Sequence, residues 1–326
     1  MQIRSVGIDL GKTTFHLVAL DDNGKVLLKK KFTQRQLITF TANMQTSLIG
    51  MEACGGAHFL GRALRAQGHD VKLIPAQFVK PFVKSNKNDF LDAEAIAEAV
   101  DRQNMRFVPI KTDDQLDLQA LHRVRDRLIA RRTSVINQLR AFRLERGLVF
   151  AKSPAKLRER MPEILENAEE DLTPRMRNLL AMLWNEWKEL ELQIEGMNDE
   201  VERIASSDAA CMRLRQIPGI GPLVATAIVA AIGNGAAFHK GREFAAWLGI
   251  VPRQYSTGGK ASLYGISKRG NCYLRKILIH GARAVVLRSK RDRIAIGEWM
   301  RVHSGLRQSG RACGPAGYGR CHRGTG

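Results

Sequence analysis

The sequence predicts three successive parts: a mixed α/β sheet domain over residues 1–110, a long-helix, coiled-coil segment over 111–205, and a mostly α, basic domain over 206–302. An irregular Gly/Arg tail follows over 303–326. Three observations carry this expectation. β-rich runs near the N-terminus give way to alternating strands and helices. The middle holds apolar residues at near-heptad spacing with little glycine. Charge is partitioned: residues 1–212 carry 32 basic and 29 acidic side chains, residues 213–326 carry 20 and 3, so most of the net +20 lies in the last third.

In the first part, Ser5–Asp9, Thr14–Leu20 and Lys25–Phe32 are β-rich, and Asp21-Asp22-Asn23-Gly24 carries the Asn-Gly signal of a tight hairpin. The spacing then predicts a helix over Arg35–Met44, a strand over Ser47–Met51, a helix over Ala57–Gln67 ended by Gly68, and a strand over Val71–Ile74 closed by Pro75. A helix over Asp89–Arg102 places Leu91, Ala95, Ile96 and Ala99 on one face. Strands in hairpin order followed by strand–helix alternation are compatible with a ribonuclease-H-like layout. In the middle, Leu116 to Phe142 punctuate one long arginine-rich helix and Leu179 to Met197 another, running from Arg175 to Ile204. Ser153–Thr173, acidic over Glu163–Asp171 and with prolines at 154 and 162, connects them; a spacer or dimer interface is the expected role. The last part opens with Ile217-Pro-Gly-Ile-Gly-Pro222 and an apolar helix to Ile232. A second helix ends at Trp247–Pro252, Gln254–Lys268 reads as a loop, and Asn271–Leu287 is helical.

Composition bounds the function. With 44% hydrophobic residues the chain can build a core, which excludes wholesale disorder. The longest near-apolar run, Leu223–Ile232, is far short of the ~18 residues a membrane span needs. The start, MQIRSVGIDLG, has no secretory apolar region, and the five cysteines form no CxxC pair. A cytoplasmic, membrane-free protein with a polyanionic partner is expected.

Four constellations carry chemistry. Asp9 ends the first β-run, Glu52 ends a later strand, and Asp89 and Asp92 share one helix face. Converged carboxylates repel unless cations sit among them, which suits Mg²⁺, two ions of which can serve the attacking and leaving oxygens of a phosphodiester. For Asp89 alone, a helix N-cap is the alternative. Asp9-Leu-Gly-Lys-Thr13 also resembles the phosphate-binding hairpin of actin-like ATPases and sugar kinases. Pro218-Gly219-Ile220-Gly221 resembles the hairpin of helix-hairpin-helix modules, in which Gly219 and Gly221 let backbone N–H groups approach a DNA phosphate; an ordinary turn is the alternative. Finally, Ser256 and Thr257 stand in a Gly-bounded stretch with Arg253, Lys260, Lys268, Arg269 and Arg275 around them. A hydroxyl there could attack phosphorus while cations stabilise the charge, or simply contact phosphate.

Together, Asp9, Glu52 and Asn86-Lys87-Asn88-Asp89-Phe-Leu-Asp92-Ala93 resemble the DEDD set of insertion-sequence-110-type transposases. The IPGIG stretch, Phe244–Pro252, and Gly258-Gly-Lys through Leu274-Arg275 resemble that family's C-terminal domain. The resemblance implies a RuvC-like N-terminal domain, a coiled-coil linker and a helical transposase domain. It implies DNA recombination with Mg²⁺ at Asp9, Glu52, Asp89 and Asp92, and a serine nucleophile supplied by another subunit of a homodimer or tetramer. In some members a bridge RNA guides the reaction. The family serine directly precedes glycine; here that position is Thr257, and Ser256 precedes it. The tail departs from the family after Trp299, and a frameshifted or truncated copy is the expectation for it. A nucleic-acid-binding protein without chemistry, such as a decayed transposase, is the alternative function.

Overall fold

The computed structural model describes residues 2–83, 88–147, 153–166 and 172–288. Asn86, Lys87, residues 167–171, Trp299 and the 303–326 tail, all named above, lie outside them. The chain divides into two compact units, the first Met1–Asp117 with Gly235–Ala237, the second Leu118–Asn234 and the residues from Phe238 onward.

The first unit is built on a five-stranded sheet. β1 (Ser5–Leu10), β2 (Phe15–Leu20) and β3 (Val26–Phe32) form an antiparallel meander; β4 (Leu48–Glu52) and β5 (Asp70–Ile74) add on parallel to β1, giving the order β3-β2-β1-β4-β5. This order agrees with the ribonuclease-H-like layout. The β2–β3 turn is held by Asp21, whose carboxylate accepts from the Asn23 and Lys25 N–H groups at 2.9 and 2.7 Å, with Gly24 at φ +75°. α1 (Gln34–Ala42) starts with a reciprocal capping box between Thr33 and Gln36. Together with α2 (Ala57–Ala66), α1 covers one sheet face, where Val6, Ile8, Leu17, Ile49 and Met51 meet Leu37, Leu60 and Leu64. A short α3 (Ala76–Val79) follows β5.

α4 (Asp89–Val100) covers the other face, and the sequence allows it to come very close. Side chains alternate along a strand, so Ser5, Gly7 and Asp9 point away from the Val6/Ile8 core. Ser5 Oγ donates to the Ala97 carbonyl at 2.8 Å. Gly7 lies directly under the helix: a Cβ there would stand 2.0 Å from the Ala93 carbonyl oxygen and 2.5 Å from the Ala97 nitrogen. Its registered neighbour on β4, Gly50, would meet Val100 at 2.8 Å. Two side-by-side glycines thus make a bare patch on which the alanine face of α4 rests.

In the second unit, α5 (Asp113–Leu144, which begins in the first unit), α6 (Pro154–Glu166) and α7 (Pro174–Ser207) share an apolar cluster that includes Leu128, Ile136, Leu139, Leu157, Met161, Ile164, Leu180, Trp187 and Ile194. Polar pairs fix α5 and α7 antiparallel: Arg125 with Asn198, Arg132 with Glu191, Arg131 with Glu186. The connecting stretch is therefore helical where described, in spite of Pro162 inside α6. Leu157, Met161 and Ile164 recur at helical spacing and are buried, which outweighs the ~3 kcal/mol that proline costs a helix interior. α8 (Ala209–Arg215), the IPGIG turn and α9 (Pro222–Ile232) follow, then α10 (Gly241–Leu248) and α11 (Cys272–Arg288).

Between α10 and α11 the expected loop is a two-stranded ribbon, β6 (Pro252–Thr257) and β7 (Lys260–Ile266). Gly258 and Gly259, at φ +55° and +78°, form the two-residue turn. Such a turn needs positive φ at both positions, which matches strand twist. No described helix is long and apolar enough to cross a membrane.

Candidate active site

The packing of α4 on β1 decides where the acids lie. Ser5 sits at Ala97 and Gly7 at Ala93. Two residues of strand advance ~6.6 Å and four residues of helix ~6 Å, so the next step along the same face brings Asp9 to the start of α4. That start carries Asp89 and Asp92 in its first turn. Ile8 pairs with Met51, so Glu52, the last residue of β4, stands beside Asp9 at the same sheet end. The four carboxylates therefore gather at the C-terminal ends of two parallel strands, under the N-terminus of a helix.

Their electrostatics record the gathering. The Asp9 carboxyl is pushed up from its ordinary value by burial first, then by Asp92 and Asp89. The Glu52 carboxyl is pushed up by burial, then by Asp9 and Asp92. The N-cap of α4 is Asn88, whose side chain accepts from the Phe90 N–H at 2.9 Å. Asp89 is thus not spent on capping, contrary to the alternative reading of it. The donor set is all hard oxygen, as Mg²⁺ requires, and its mutual repulsion is what a cation relieves. Among the described residues, no three His, Cys, Asp or Glu side chains converge closely enough to hold one ion directly.

Sequence reasoning missed His16. It pairs with Asp9 across β1–β2, its Nδ1 lies 3.6 Å from Asp89 Oδ2, and its ring meets Phe90 edge-on at 4.7 Å. The signal was the hairpin register: opposite residues on antiparallel strands share a face. Cys54 is exposed at the residue level, yet partial burial of its thiol first, then Glu52 and Asp9, push its pKa up, the opposite of an activated nucleophile.

In the second unit, Ser256 and Thr257 are exposed near the tip of β6 and, being consecutive, face opposite sides of the ribbon. Gln254 Nε2 donates to Ser256 Oγ at 2.8 Å on one side. Thr257 shares the other side with its cross-strand partner Lys260. Arg253, Lys260, Lys268 and Arg269 are exposed. Arg275 is not. It is buried, and its Nη1 donates to the Leu248 and Arg269 carbonyls at 2.8 and 2.6 Å, so its guanidinium is not displayed toward a phosphate. The two IPGIG glycines also divide. Gly219, at φ +89°, lies against α11, where a Cβ on Gly281 would come within 2.1 Å of the Gly219 carbonyl oxygen. Gly221 is the N-cap of α9, with open space where a Cβ would stand. Of the pair, Gly221 is the one that leaves room for a close approach.

His122 is a buried connector. Thr226 Oγ1 donates to the Pro222 carbonyl at 2.8 Å, so it accepts from His122 Nε2 at 3.0 Å, and Tyr273 Oη then donates to His122 Nδ1 at 3.0 Å. Burial first, then Arg125, lowers the His122 pKa to about 4, which keeps this ring neutral.

Known proteins match this arrangement along most of the chain. A DEDD transposase profile of the IS110 type matches residues 6–145, and a profile described as "Transposase IS116/IS110/IS902 family" matches residues 211–298. The transposase for insertion sequence element IS1111A of Coxiella burnetii is 41% identical over 95% of this chain and 85% of its own length. The transposase for insertion sequence element IS1328 of Yersinia enterocolitica is 43% identical over 90% and 87%. A probable family 20 transposase of Pseudomonas aeruginosa is 42% identical over 88% and 85%. With two profiles in the same order and such identity over nearly the whole length, the chain belongs to the IS116/IS110/IS902 family of insertion-sequence transposases.

Proposed function

We propose that this transposase cleaves and rejoins DNA with Mg²⁺ held by Asp9, Glu52, Asp89 and Asp92 and with a hydroxyl nucleophile from the β6–β7 ribbon. The observation that carries the reading is the gathering of four carboxylates, in which burial first and then the neighbouring acids push Asp9 and Glu52 up. Bound Mg²⁺, two ions as the resemblance implies, would supply charge stabilisation to a phosphodiester. Mg²⁺ keeps several waters, so carboxylates that stand apart can hold it partly through water. His16 faces Asp89 from β2, its Nδ1 3.6 Å from the Asp89 carboxylate and without a hydrogen-bond partner among the described residues.

Ser256 is the favoured nucleophile. Its hydroxyl gives up its proton as the oxygen attacks phosphorus and forms an O–P ester, the P–O bond to one sugar oxygen breaks, that oxygen leaves with the electron pair and takes up a proton, and a DNA hydroxyl later reverses the step to release the serine. Gln254 orients the Ser256 oxygen. Thr257 is the second reading, favoured by its place before Gly258 and beside Lys260. The exposed cations Arg253, Lys260, Lys268 and Arg269 hold the backbone phosphates, and the open N-terminus of α9 at Gly221 gives a further phosphate contact. The layout 1–110, 111–205 and 206–302, a coiled-coil α5–α7 pair acting as spacer, a helix-hairpin-helix role for α8–α9, assembly as a homodimer or tetramer, and guidance by a structured RNA belong to the same proposal.

Trapping a protein–DNA adduct on element-end DNA tests it. The adduct should form with the parent and vanish in Ser256→Ala; if it persists in Ser256→Ala, Thr257→Ala and the double variant, neither hydroxyl is the nucleophile. Sequencing RNA that co-purifies should find one discrete structured species; random RNA alone would remove the guide.

A further inference from the structure

Lys268 is the only described residue other than glycine with positive φ, at +55°. An L-residue there is strained, and such strain persists only where the surroundings impose it. The surroundings are visible. The chain entering the ribbon, Gly249–Val251, pairs with the chain leaving it: Lys268 N donates to the Gly249 carbonyl at 3.0 Å and Ser267 N to the Val251 carbonyl at 2.8 Å. The two backbones cross with no room for side chains. A Cβ on Gly249 would stand 2.2 Å from the Arg269 carbonyl oxygen, and one on Gly270 would stand 1.9 Å from the Trp247 carbonyl oxygen. Buried Arg275 ties the two crossing backbone segments at once through Leu248 and Arg269. Asn271 Oδ1, accepting from the Leu274 N–H at 3.0 Å, fixes the start of the helix that carries Arg275.

A glycine at 268 would remove the strain, yet the chain holds an exposed lysine there, beside exposed Arg269. The two cations sit at the root of the ribbon whose tip bears Ser256 and Thr257. We propose that Arg275 is a positioning residue that clamps the crossed root and so sets the direction of the hydroxyl-bearing ribbon, while Lys268 keeps the phosphate contact assigned above. The proposal rests on the DNA-transfer reading above and adds to it a division of labour between two cations that the sequence placed in one class.

The test measures binding of the full chain to element-end DNA across a salt series, with melting temperature and adduct formation at saturating DNA. Lys268→Gln and Lys268→Gly should each lower the slope of log affinity against log salt by about 0.9, the loss of one phosphate contact, with affinity down roughly threefold or more. Lys268→Gly should melt no lower than the parent, since it relieves the backbone. Arg275→Lys keeps the charge, but its shorter stem lacks the planar fork whose Nη1 reaches the Leu248 and Arg269 carbonyls while Nη2 donates to Cys272 Sγ. It should leave the salt slope unchanged while adduct formation at saturating DNA falls at least tenfold. Unchanged slopes in both Lys268 variants overturn the contact. A slope lowered in Arg275→Lys, or full adduct formation in it, overturns the clamp. A parent that binds and transfers normally beside such variants refutes this inference alone; a parent that forms no adduct refutes the underlying reading and this inference with it.

Discussion

Gly7→Ala separates the position of the acids from their identity. The new Cβ would stand 2.0 Å from the Ala93 carbonyl oxygen, where ordinary contact begins near 3.4 Å. The clash is with backbone on a helix that also bonds to Ser5 and rests on Gly50, so no side chain can swing aside. α4 must lift by about 1.4 Å, the difference between those distances, or β1 must bend. Overpacking of this kind costs ~1–3 kcal/mol. Asp89 and Asp92 ride on the displaced helix while Asp9 stays on the strand. A misplacement of ~1 Å in a catalytic constellation can cost ~10²-fold in rate. The assay pairs urea unfolding with Mg²⁺-dependent cleavage of element-end DNA, and Gly196→Ala is the control, since Gly196 lies mid-α7 with open space around it. Gly7→Ala should lose stability and nearly all cleavage; Gly196→Ala should keep cleavage and gain ~0.5–1 kcal/mol. Full cleavage in a folded Gly7→Ala protein would refute the coupling of α4 to the site.

Three further outcomes follow from the geometry. Asp9→Asn should abolish cleavage yet raise the melting temperature at neutral pH. The folded-state pKa of Asp9 lies above its unfolded value, so its ionisation weakens the fold once pH rises through the folded pKa, and asparagine removes that penalty. His122 works with the opposite sign. Its folded pKa of about 4 lies below the ordinary 6.5, so it stabilises above pH 6.5 and loses that contribution as pH falls toward 4, on the order of 3 kcal/mol; His122→Gln should flatten the difference between urea midpoints at pH 7.5 and 4.5, and an unchanged difference would place the acid sensitivity elsewhere. If the hydroxyl of one copy serves the carboxylates of another, mixing Asp9→Asn with Ser256→Ala protein should restore part of the adduct that neither forms alone; no recovery in mixed assemblies would return both groups to one chain.

Much of this is legible in the sequence. The Asn-Gly hairpin, the strand ends at Asp9 and Glu52 and the helix from Asp89 each follow from local signals, and they suffice to name the four acids. What the sequence hid is set by cross-chain register. His16 becomes visible only when the β1–β2 pairing is counted out to Asp9. The ribbon at 252–266 reads as loop because both of its faces are exposed and polar residues mask the alternation; its Gly258-Gly259 turn was the available signal. Arg275 and Gly219 look like DNA contacts in a basic neighbourhood, but burial is a tertiary property, and both are used to hold backbone against backbone. Composition placed the cations in the last third; only packing divides those that face solvent from the one that is structural.

The central claim is that the four gathered carboxylates drive phosphodiester chemistry through a divalent cation. Its most direct measurement is strand cleavage of element-end DNA by the full chain across a Mg²⁺ titration, beside Asp9→Asn, Glu52→Gln, Asp89→Asn and Asp92→Asn, each shown folded by its melting curve. The account predicts cleavage that rises with Mg²⁺ in the parent and falls at least ~10²-fold in every variant. Cleavage that proceeds undiminished in chelator, or in all four folded variants, would contradict it.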